Sequence, residues 1–250
     1  MKPRAIRKRL DVLLVERGIA ESAKEALGMV LAGEVRVDGE RNDKAGAPIA
    51  IDARIEVTSR TQKYVSRGGI KLEGALEDFT IDPKGQICLD IGSSTGGFTD
   101  CLLSHGAACV YAVDVSMEQL DWKLRQDSRV VRIERNAREL DGENLPQKAG
   151  LVVIDVSFIS VGKVLGPALS KAEEKADILI LVKPQFELSR EEVATGGVVK
   201  DTNLHQKAIL KVRRAAELLD LEVLGVQPSR LMGAEGNQEY FLHARKKSVE

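Results

Sequence analysis

The stretch from Ile87 to Leu103 constrains the fold most. A short apolar run ends at Asp90, a turn with three glycines follows, and Phe98, Leu102 and Leu103 then recur at helical spacing. This order predicts a strand, a tight loop and a helix. Glycines let a ligand approach the backbone, and the start of a helix offers free N–H groups, so we expect this corner of an open α/β sheet to bind a ligand.

The glycine spacing indicates which ligand binds. Asp90 is followed by G-x-x-x-G-G, which differs from the G-x-G-x-x-G of dinucleotide-binding folds, and the lysine and hydroxyl of a P-loop are missing. Asp114 closes the next apolar run, about 20 residues on, where a second acid can bind a ribose. The pattern resembles motif I and the following acidic loop of S-adenosylmethionine-dependent methyltransferases. The alternative is a glycine turn in another α/β protein. The resemblance implies S-adenosylmethionine as cofactor, bound by Asp90, Gly92, Ser93, Ser94, Gly96, Gly97, Phe98 and Asp114.

The length and the charge distribution of the chain predict a second, smaller domain. The 250 residues suit one domain with a small appendage. The net charge of −1 hides an asymmetry, because residues 1–71 hold 15 basic and 10 acidic side chains, an excess of five, and the remainder therefore carries −6. A basic first quarter predicts a module that binds a polyanion.

The cysteines and the apolar runs of the sequence indicate the cellular compartment of the protein. The three cysteines form no C-x-x-C pair, so we expect them to be reduced, and no histidine has the spacing of a metal ligand. The basic start is not followed by the apolar region of a signal peptide, and no apolar run reaches 18 residues. These features predict a cytoplasmic protein without a metal site or a membrane segment.

The first 60 residues predict two helices and two strands. The first helix follows Arg9, and the second begins at the S-x-x-E sequence of Ser22. The strands are predicted at 34–37 and 54–57, with a loop containing Pro48 between them.

This order resembles the small RNA-binding domain shared by a ribosomal small-subunit protein, tyrosyl-tRNA synthetase tails and many pseudouridine synthases. The resemblance implies that Arg9, Lys24 and Arg36 face RNA phosphates. Many members of that family have arginine where this chain has Ala23. A solvated charged face on an unrelated module is the alternative.

The remainder alternates between strands and helices. A helix extends to about residue 78, with Lys71 in its first turn. Further helices are predicted at 118–125, 161–171 and 204–219, and strands at 130–134, 151–156, 177–182, 221–227 and 239–244. This alternation predicts a Rossmann-like, mostly parallel sheet with helices on both faces. The last two strands are joined by a loop, so we expect an antiparallel hairpin at one edge. The predicted boundaries are 1–60 for the RNA-binding domain, 61–68 for a linker and 69–250 for the catalytic domain.

Ionisable residues at the strand ends suggest a chemistry. Asp155 and Lys183 each follow an apolar strand, and parallel strands place their carboxyl ends on one rim. Glu239 opens the antiparallel last strand and therefore lies at the same rim, which Lys71 reaches from the preceding helix. We expect Lys183 to remove the proton of a ribose 2′-hydroxyl as the oxygen attacks a sulfonium methyl, with Asp155 and Glu239 holding this lysine and Lys71 assisting it. The alternative is a set of surface ion pairs.

The motifs together resemble the TlyA family, haemolysin-named rRNA 2′-O-methyltransferases related to FtsJ-type enzymes. They read Y-V-S-R-G-G-x-K-L, D-I-G-S-S-T-G-G-F-T-D, V-I-D-V-S-F-I-S, L-V-K-P-Q-F-E and G-N-x-E-Y-F. The resemblance implies a catalytic tetrad of Lys71, Asp155, Lys183 and Glu239, and methylation of cytidine ribose in ribosomal RNA, in an assembled subunit. The alternatives are a non-catalytic RNA-binding or ribosome-assembly factor and a membrane-active haemolysin.

Two features remain open, and a third has a single interpretation. The glycine-rich loop from Thr195 to Lys200 is either a substrate lid or a connection. Phe158 and Phe186 either stack on a base or pack in the core. Trp122 is interpreted as a helix-packing residue.

Overall fold

The computed structural model describes residues 6–20, 22–31, 33–42, 44–57, 63–140 and 145–246. The chain forms two compact units, Met1–Gln62 and Lys63–Glu250. Parts of the predicted linker, residues 61 and 62, lie outside the described residues. Its remainder includes the buried Tyr64, which packs in the core of the second unit.

In its described residues, the first unit packs two helices and two small antiparallel sheets around one apolar core. Leu10, Leu14, Val30 and Val35 are fully buried there. The elements are β1 (Arg7–Arg9), α1 (Leu10–Glu16), α2 (Ala23–Leu31), β2 (Val35–Val37), β3 (Glu40–Arg41), β4 (Pro48–Ala50) and β5 (Ile55–Val57). The strand order is β3-β2-β5 in one sheet and β1-β4 in the other.

The sequence predictions for this unit need two corrections. The loop predicted around Pro48 is wrong, because Pro48–Ala50 is a strand paired with β1; proline is tolerated as the first residue of such a strand. The basic excess is also smaller than residues 1–71 suggest. Lys63, Arg67 and Lys71 belong to the second unit, which leaves twelve basic and ten acidic residues in the first.

The second unit is a mostly parallel sheet covered by helices on both faces. Its elements are α3 (Arg67–Phe79), β6 (Ile87–Ile91), α4 (Gly97–Ser104), β7 (Cys109–Asp114), α5 (Trp122–Gln126), β8 (Val130–Glu134), β9 (Ala149–Ile154), α6 (Gly162–Leu169), β10 (Ala172–Val182), α7 (Pro184–Glu187), α8 (Thr202–Glu217), β11 (Leu221–Pro228) and β12 (Tyr240–Lys246). Within the described residues the sheet has seven strands in the order β11-β12-β10-β9-β6-β7-β8. β12 is antiparallel to both β10 and β11, and the other neighbours are parallel. The predicted fold class and the antiparallel edge are therefore confirmed.

β9 and the last five residues of β10 are apolar because both of their faces are covered. In β9, Val152 and Ile154 pack with residues of α6 and α8, whereas Leu151 and Val153 pack with residues of α3 and α4. The two resulting cores fix the strands, and hence the positions of the residues that follow their carboxyl ends.

Three local predictions differ from the structure. The predicted helix at 118–125 is wrong in extent, because a short 3-10 turn precedes the α-helix Trp122–Gln126. Trp122 is 63% exposed, so its interpretation as a packing residue is also wrong; Leu124 is the buried residue of that helix. Lys71 lies in the second turn of α3, not the first, because that helix begins at Arg67.

Candidate active site

Asp90 is a buried carboxyl group between β6 and α4. Its side chain is fully buried, and Thr99 Oγ1 donates a hydrogen bond to Oδ2 at 2.6 Å. Burial raises the pKa of Asp90 to about 7, although the Thr99 hydrogen bond opposes the shift. No described residue donates a hydrogen bond to the other oxygen, Oδ1. Asp90 is thus a titratable group beside the loop that joins β6 to α4.

Two glycines of this loop are required by close packing. Gly92 has φ +86°, and a Cβ there would lie 2.1 Å from the backbone oxygen of Asp155. A Cβ on Gly97 would lie 2.1 Å from Ser66 Oγ. These glycines let the loop pack against the end of β9 and the start of α3, a reason that differs from the ligand access predicted from the sequence.

A first cavity, which we call the lysine cavity, lies where α3 and α4 begin. Its wall includes Arg67, Lys71, Ser93, Gly97 and Asp155. Ser93 is 4% exposed, and no described residue is hydrogen-bonded to its Oγ. Two helix starts and two cationic side chains make this cavity suitable for an anionic group.

A second cavity, which we call the Asp114 cavity, adjoins the first. The two share Gly92, Ser94 and Asp155. At the end of β7, the Asp114 carboxylate accepts hydrogen bonds from the backbone N–H of Ser94 at 2.9 Å and of Ser116 at 3.3 Å. Beyond it, the wall contains Val115, Asn136, Ala137 and Phe158. An acid beside an apolar surface suits a ribose joined to a flat ring.

Two ion pairs each contribute one residue, Lys71 or Asp155, to the wall of the lysine cavity. Lys71 Nζ lies 2.6 Å from Glu239 Oε2, and Lys183 Nζ lies 2.5 Å from Asp155 Oδ1. Each lysine side chain is 11% exposed. Lys183 also donates a hydrogen bond to Ser157 Oγ at 2.9 Å. The structure therefore brings the four predicted residues together, with Glu239 on Lys71 and not on Lys183.

Sheet topology explains how distant residues meet here. Asp155 and Lys183 directly follow the parallel strands β9 and β10. β12 is antiparallel to β10 with Tyr240 opposite Val182. Glu239, just before β12, thus lies at the end of the sheet where Lys183 emerges.

Other predicted residues lie at or near these cavities. Gly92, Ser93, Ser94, Gly97 and Phe98 line the lysine cavity, and Asp114 lines the second, whereas Asp90 and Gly96 line neither. Sequence reasoning missed Ser66, Arg67, Asn136 and Ser157. The S-R-G-G sequence before Lys71 was an available signal for two of them.

Phe158 is an exposed aromatic residue at the rim. It is 87% exposed and has φ +67°, a conformation that bulky residues rarely adopt. Its ring centroid lies 5.2 Å from that of Phe186, and Lys183 Nζ lies 5.9 Å from the Phe186 centroid. Core packing of Phe158, one of the two alternatives, is therefore wrong.

In the first unit, the three predicted RNA-contacting residues are exposed. Arg9 is paired with Asp11 at 2.6 Å, and Arg36 donates a hydrogen bond to the backbone oxygen of Gly39. Lys24 lies in α2. The pairing with Asp11 offsets part of the positive charge that Arg9 would present to RNA.

The histidines have protein partners. His205 contacts the Val199 carbonyl and the Tyr240 hydroxyl, His243 pairs with Asp177, and His105 contacts the Cys101 carbonyl. Among the described residues no group of three or more metal-ligating side chains is found.

Comparison with known proteins follows the division into two units. The model of FtsJ-like methyltransferases matches residues 64–246, and that of the S4 domain matches residues 8–55. The 16S/23S rRNA (cytidine-2′-O)-methyltransferase TlyA of Mycobacterium tuberculosis is 46% identical over 96% of this chain and 91% of its own length. The chain belongs to the TlyA family of FtsJ-like methyltransferases.

Two further relatives carry a different name. Hemolysin A of Brachyspira hyodysenteriae is 42% identical over 94% of this chain and 98% of its own length. A solved structure from Streptococcus thermophilus, described as a candidate hemolysin, is 38% identical, with TM-score 0.76 over 98% of this chain and 90% of that one. The TlyA family thus includes proteins named for either activity.

Proposed function

We propose that this protein transfers a methyl group from S-adenosylmethionine to the 2′-hydroxyl of a ribose in ribosomal RNA. The observation that carries the proposal is the two partly buried lysine–carboxylate pairs, Lys71–Glu239 and Lys183–Asp155, at a cavity beside the glycine loop. The relative from M. tuberculosis, whose name specifies cytidine, supports cytidine as the target nucleoside.

The residues present fit S-adenosylmethionine. The Asp114 carboxylate suits ribose hydroxyls, and the neighbouring apolar wall suits an adenine ring. In the lysine cavity, the unpartnered Ser93 Oγ and the start of α4 suit the carboxylate of the amino-acid end. When bound, the cofactor supplies an electrophilic methyl group on a sulfonium.

Lys183 is the general base in this proposal. In its neutral amine form, Lys183 would accept the proton of the 2′-hydroxyl at Nζ as the 2′-oxygen takes the methyl group that the bound cofactor would supply. Asp155 and Ser157 orient the amine through their contacts at 2.5 and 2.9 Å. Lys71, held by Glu239, supplies a second positive charge that stabilises the oxygen as it loses its proton.

Phe158 provides a surface for the base of the target nucleotide. RNA-binding proteins commonly stack unpaired bases on exposed aromatic rings. The Phe186 ring contacts the Phe158 ring, and Lys183 Nζ lies over the Phe186 ring. A base stacked on Phe158 would therefore lie close to the general base.

The first unit is proposed to bind RNA phosphates through Arg9, Lys24 and Arg36. All three are exposed, and the S4 domain model covers them. A ribosomal substrate also implies that the protein works in the cytoplasm.

The test is transfer of labelled methyl from S-adenosylmethionine to purified ribosomal subunits, followed by mapping of 2′-O-methyl positions in the rRNA. We expect transfer with the wild-type protein, loss with Lys183→Ala, and no loss with the control Lys163→Ala, whose side chain is exposed on α6. Binding of rRNA without transfer would contradict the proposal and favour a non-catalytic assembly factor.

The hemolysin names of two relatives motivate one further assay. Among the described residues no helix is long and apolar enough to cross a membrane. Leakage of dye from liposomes treated with the purified protein, in the absence of methyl transfer, would favour the haemolysin instead.

A further inference from the structure

Asn237 is a buried side chain that joins two glycine-containing loops. It is 1% exposed. Its Oδ1 accepts a hydrogen bond from the backbone N–H of Val199 at 2.9 Å, and its Nδ2 donates one to the backbone oxygen of Gly197 at 2.9 Å. Its own backbone oxygen accepts from the N–H of Gly233 at 2.8 Å. Asn237 therefore fixes residues 197–199 against the turn that precedes β12.

The same segment is held from a second side. The backbone oxygen of Val199 accepts a hydrogen bond from His205 Nε2 at 2.8 Å, and His205 Nδ1 lies 2.9 Å from the Tyr240 hydroxyl. Because a carbonyl only accepts, Nε2 carries the proton and Nδ1 accepts from Tyr240. Both backbone polar groups of Val199 are thus satisfied by side chains from elsewhere in the fold.

Glu239 lies between these two anchors. Asn237 precedes it by two residues and bonds directly to the 197–199 segment. Tyr240 follows it directly and contacts His205, whose other ring nitrogen bonds to Val199. Space around the carboxylate is also restricted, since a Cβ on Gly233 would lie 2.7 Å from Glu239 Oε1. The turn that carries Glu239 is therefore anchored on both sides of this residue.

We propose that Asn237 is a positioning residue for the Lys71–Glu239 pair, acting through the segment 197–199. The proposal rests on the proposed function for its catalytic consequence, but the orientation of the ion pair is a property of the protein alone. It also answers the question left open for the loop from Thr195 to Lys200. That loop is part of the support of the site, because its backbone is bonded to the residues that carry Glu239.

The first test does not depend on catalysis. Full-length protein is treated with a trace of acetic anhydride, and acetylation of each lysine is quantified by mass spectrometry. Loss of the Asn237 carboxamide frees Glu239 from Lys71, so Asn237→Ala should raise the labelling rate of Lys71 at least about threefold while that of Lys183 stays unchanged. Val164→Ala, which opens a gap in the core at α6, is the control for a general loss of stability and should leave both rates unchanged.

The second test uses single-turnover methyl transfer. Asn237→Ala should lower the rate at least tenfold with S-adenosylmethionine affinity unchanged. In a protein already carrying Glu239→Gln, the same substitution should lower the rate less than twofold, because the group it positions is already lost. Equal fold losses in both backgrounds would mean that Asn237 acts only on the fold, and would overturn the proposal.

Asn237→Asp is a second, more conservative variant, which keeps the proposal testable if Asn237→Ala does not fold. Aspartate has the same size and keeps the acceptor for Val199, but it loses the donor to Gly197 and places a carboxylate against that carbonyl. Labelling of Lys71 should rise as in Asn237→Ala. Unchanged labelling of Lys71 in both variants would overturn the proposal, whether or not methyl transfer occurs. If labelling rises but the wild type transfers no methyl, the proposed function fails and the positioning role stands.

Discussion

Asp90 should make the stability of the second unit depend on pH. In the folded protein, burial raises the pKa of this carboxyl group from 3.8 to about 7. Between these values the folded state holds a proton that the unfolded chain releases, so the free energy of unfolding falls as the pH rises through this window. About three pKa units at 1.36 kcal/mol each correspond to a loss of about 4 kcal/mol by pH 8.

Asp90→Asn removes this dependence, because asparagine is neutral at every pH. The free energy of unfolding of the variant, relative to wild type, should therefore rise by up to about 4 kcal/mol between pH 4 and pH 8. Urea unfolding followed by the fluorescence of Trp122, the single tryptophan, and by circular dichroism measures it. Asp82→Asn, at an exposed position, is the control. A difference between variant and wild type that is the same at every pH would refute the reasoning.

Besides changing the pH dependence of stability, Asp90→Asn should weaken cofactor binding. An ionised Asp90 with an unpartnered oxygen favours a cationic ligand nearby, and S-adenosylmethionine carries a sulfonium and an ammonium group. Calorimetry at pH 8 should therefore show weaker binding for Asp90→Asn and none for Asp90→Ala. Unchanged affinity in both variants would remove Asp90 from the cofactor site.

Three further predictions concern catalysis and RNA. Lys183→Arg should bind cofactor and RNA but transfer methyl in single-turnover assays at least roughly 10²-fold more slowly, because arginine stays protonated; a rate near wild type would mean that the lysine acts only by its charge. Phe158→Ala should lower kcat/KM for ribosomal subunits by an amount equivalent to about 1–3 kcal/mol with cofactor affinity unchanged, and Phe158→Tyr should retain activity; equal loss in both would exclude stacking. Deletion of residues 1–60 should weaken RNA binding and reduce the slope of log K against log salt by about 0.7–0.9 for each lost phosphate contact; an unaltered slope would leave the basic excess without a role.

Local patterns predicted the sheet because its central strands contain apolar runs that end at a charged residue. The run before Asp155 and the run before Lys183 are examples, and both strands lie in the middle of the sheet. Short strands were not predicted where the neighbouring strand, and not the segment's own sequence, determines that the segment is a strand. Pro48–Ala50 has no strand pattern of its own and is a strand only because Arg7–Arg9 lies beside it.

Part of the candidate site could also be predicted from the sequence, and part could not. Lys71, Asp155, Lys183 and Glu239 could be placed together because parallel strand ends share a rim, and chemistry-bearing residues at those ends are visible in the sequence. Which acid pairs with which lysine was not predictable, since it depends on the register of β12 against β10. The role of Asn237 could not be predicted at all. Its partners are backbone groups of Gly197 and Val199, about 40 positions earlier in the chain. Because every residue type has these backbone groups, the sequence does not indicate which of them a side chain binds. Residues that hold a site through backbone hydrogen bonds therefore emerge only when every buried polar atom around the site is accounted for.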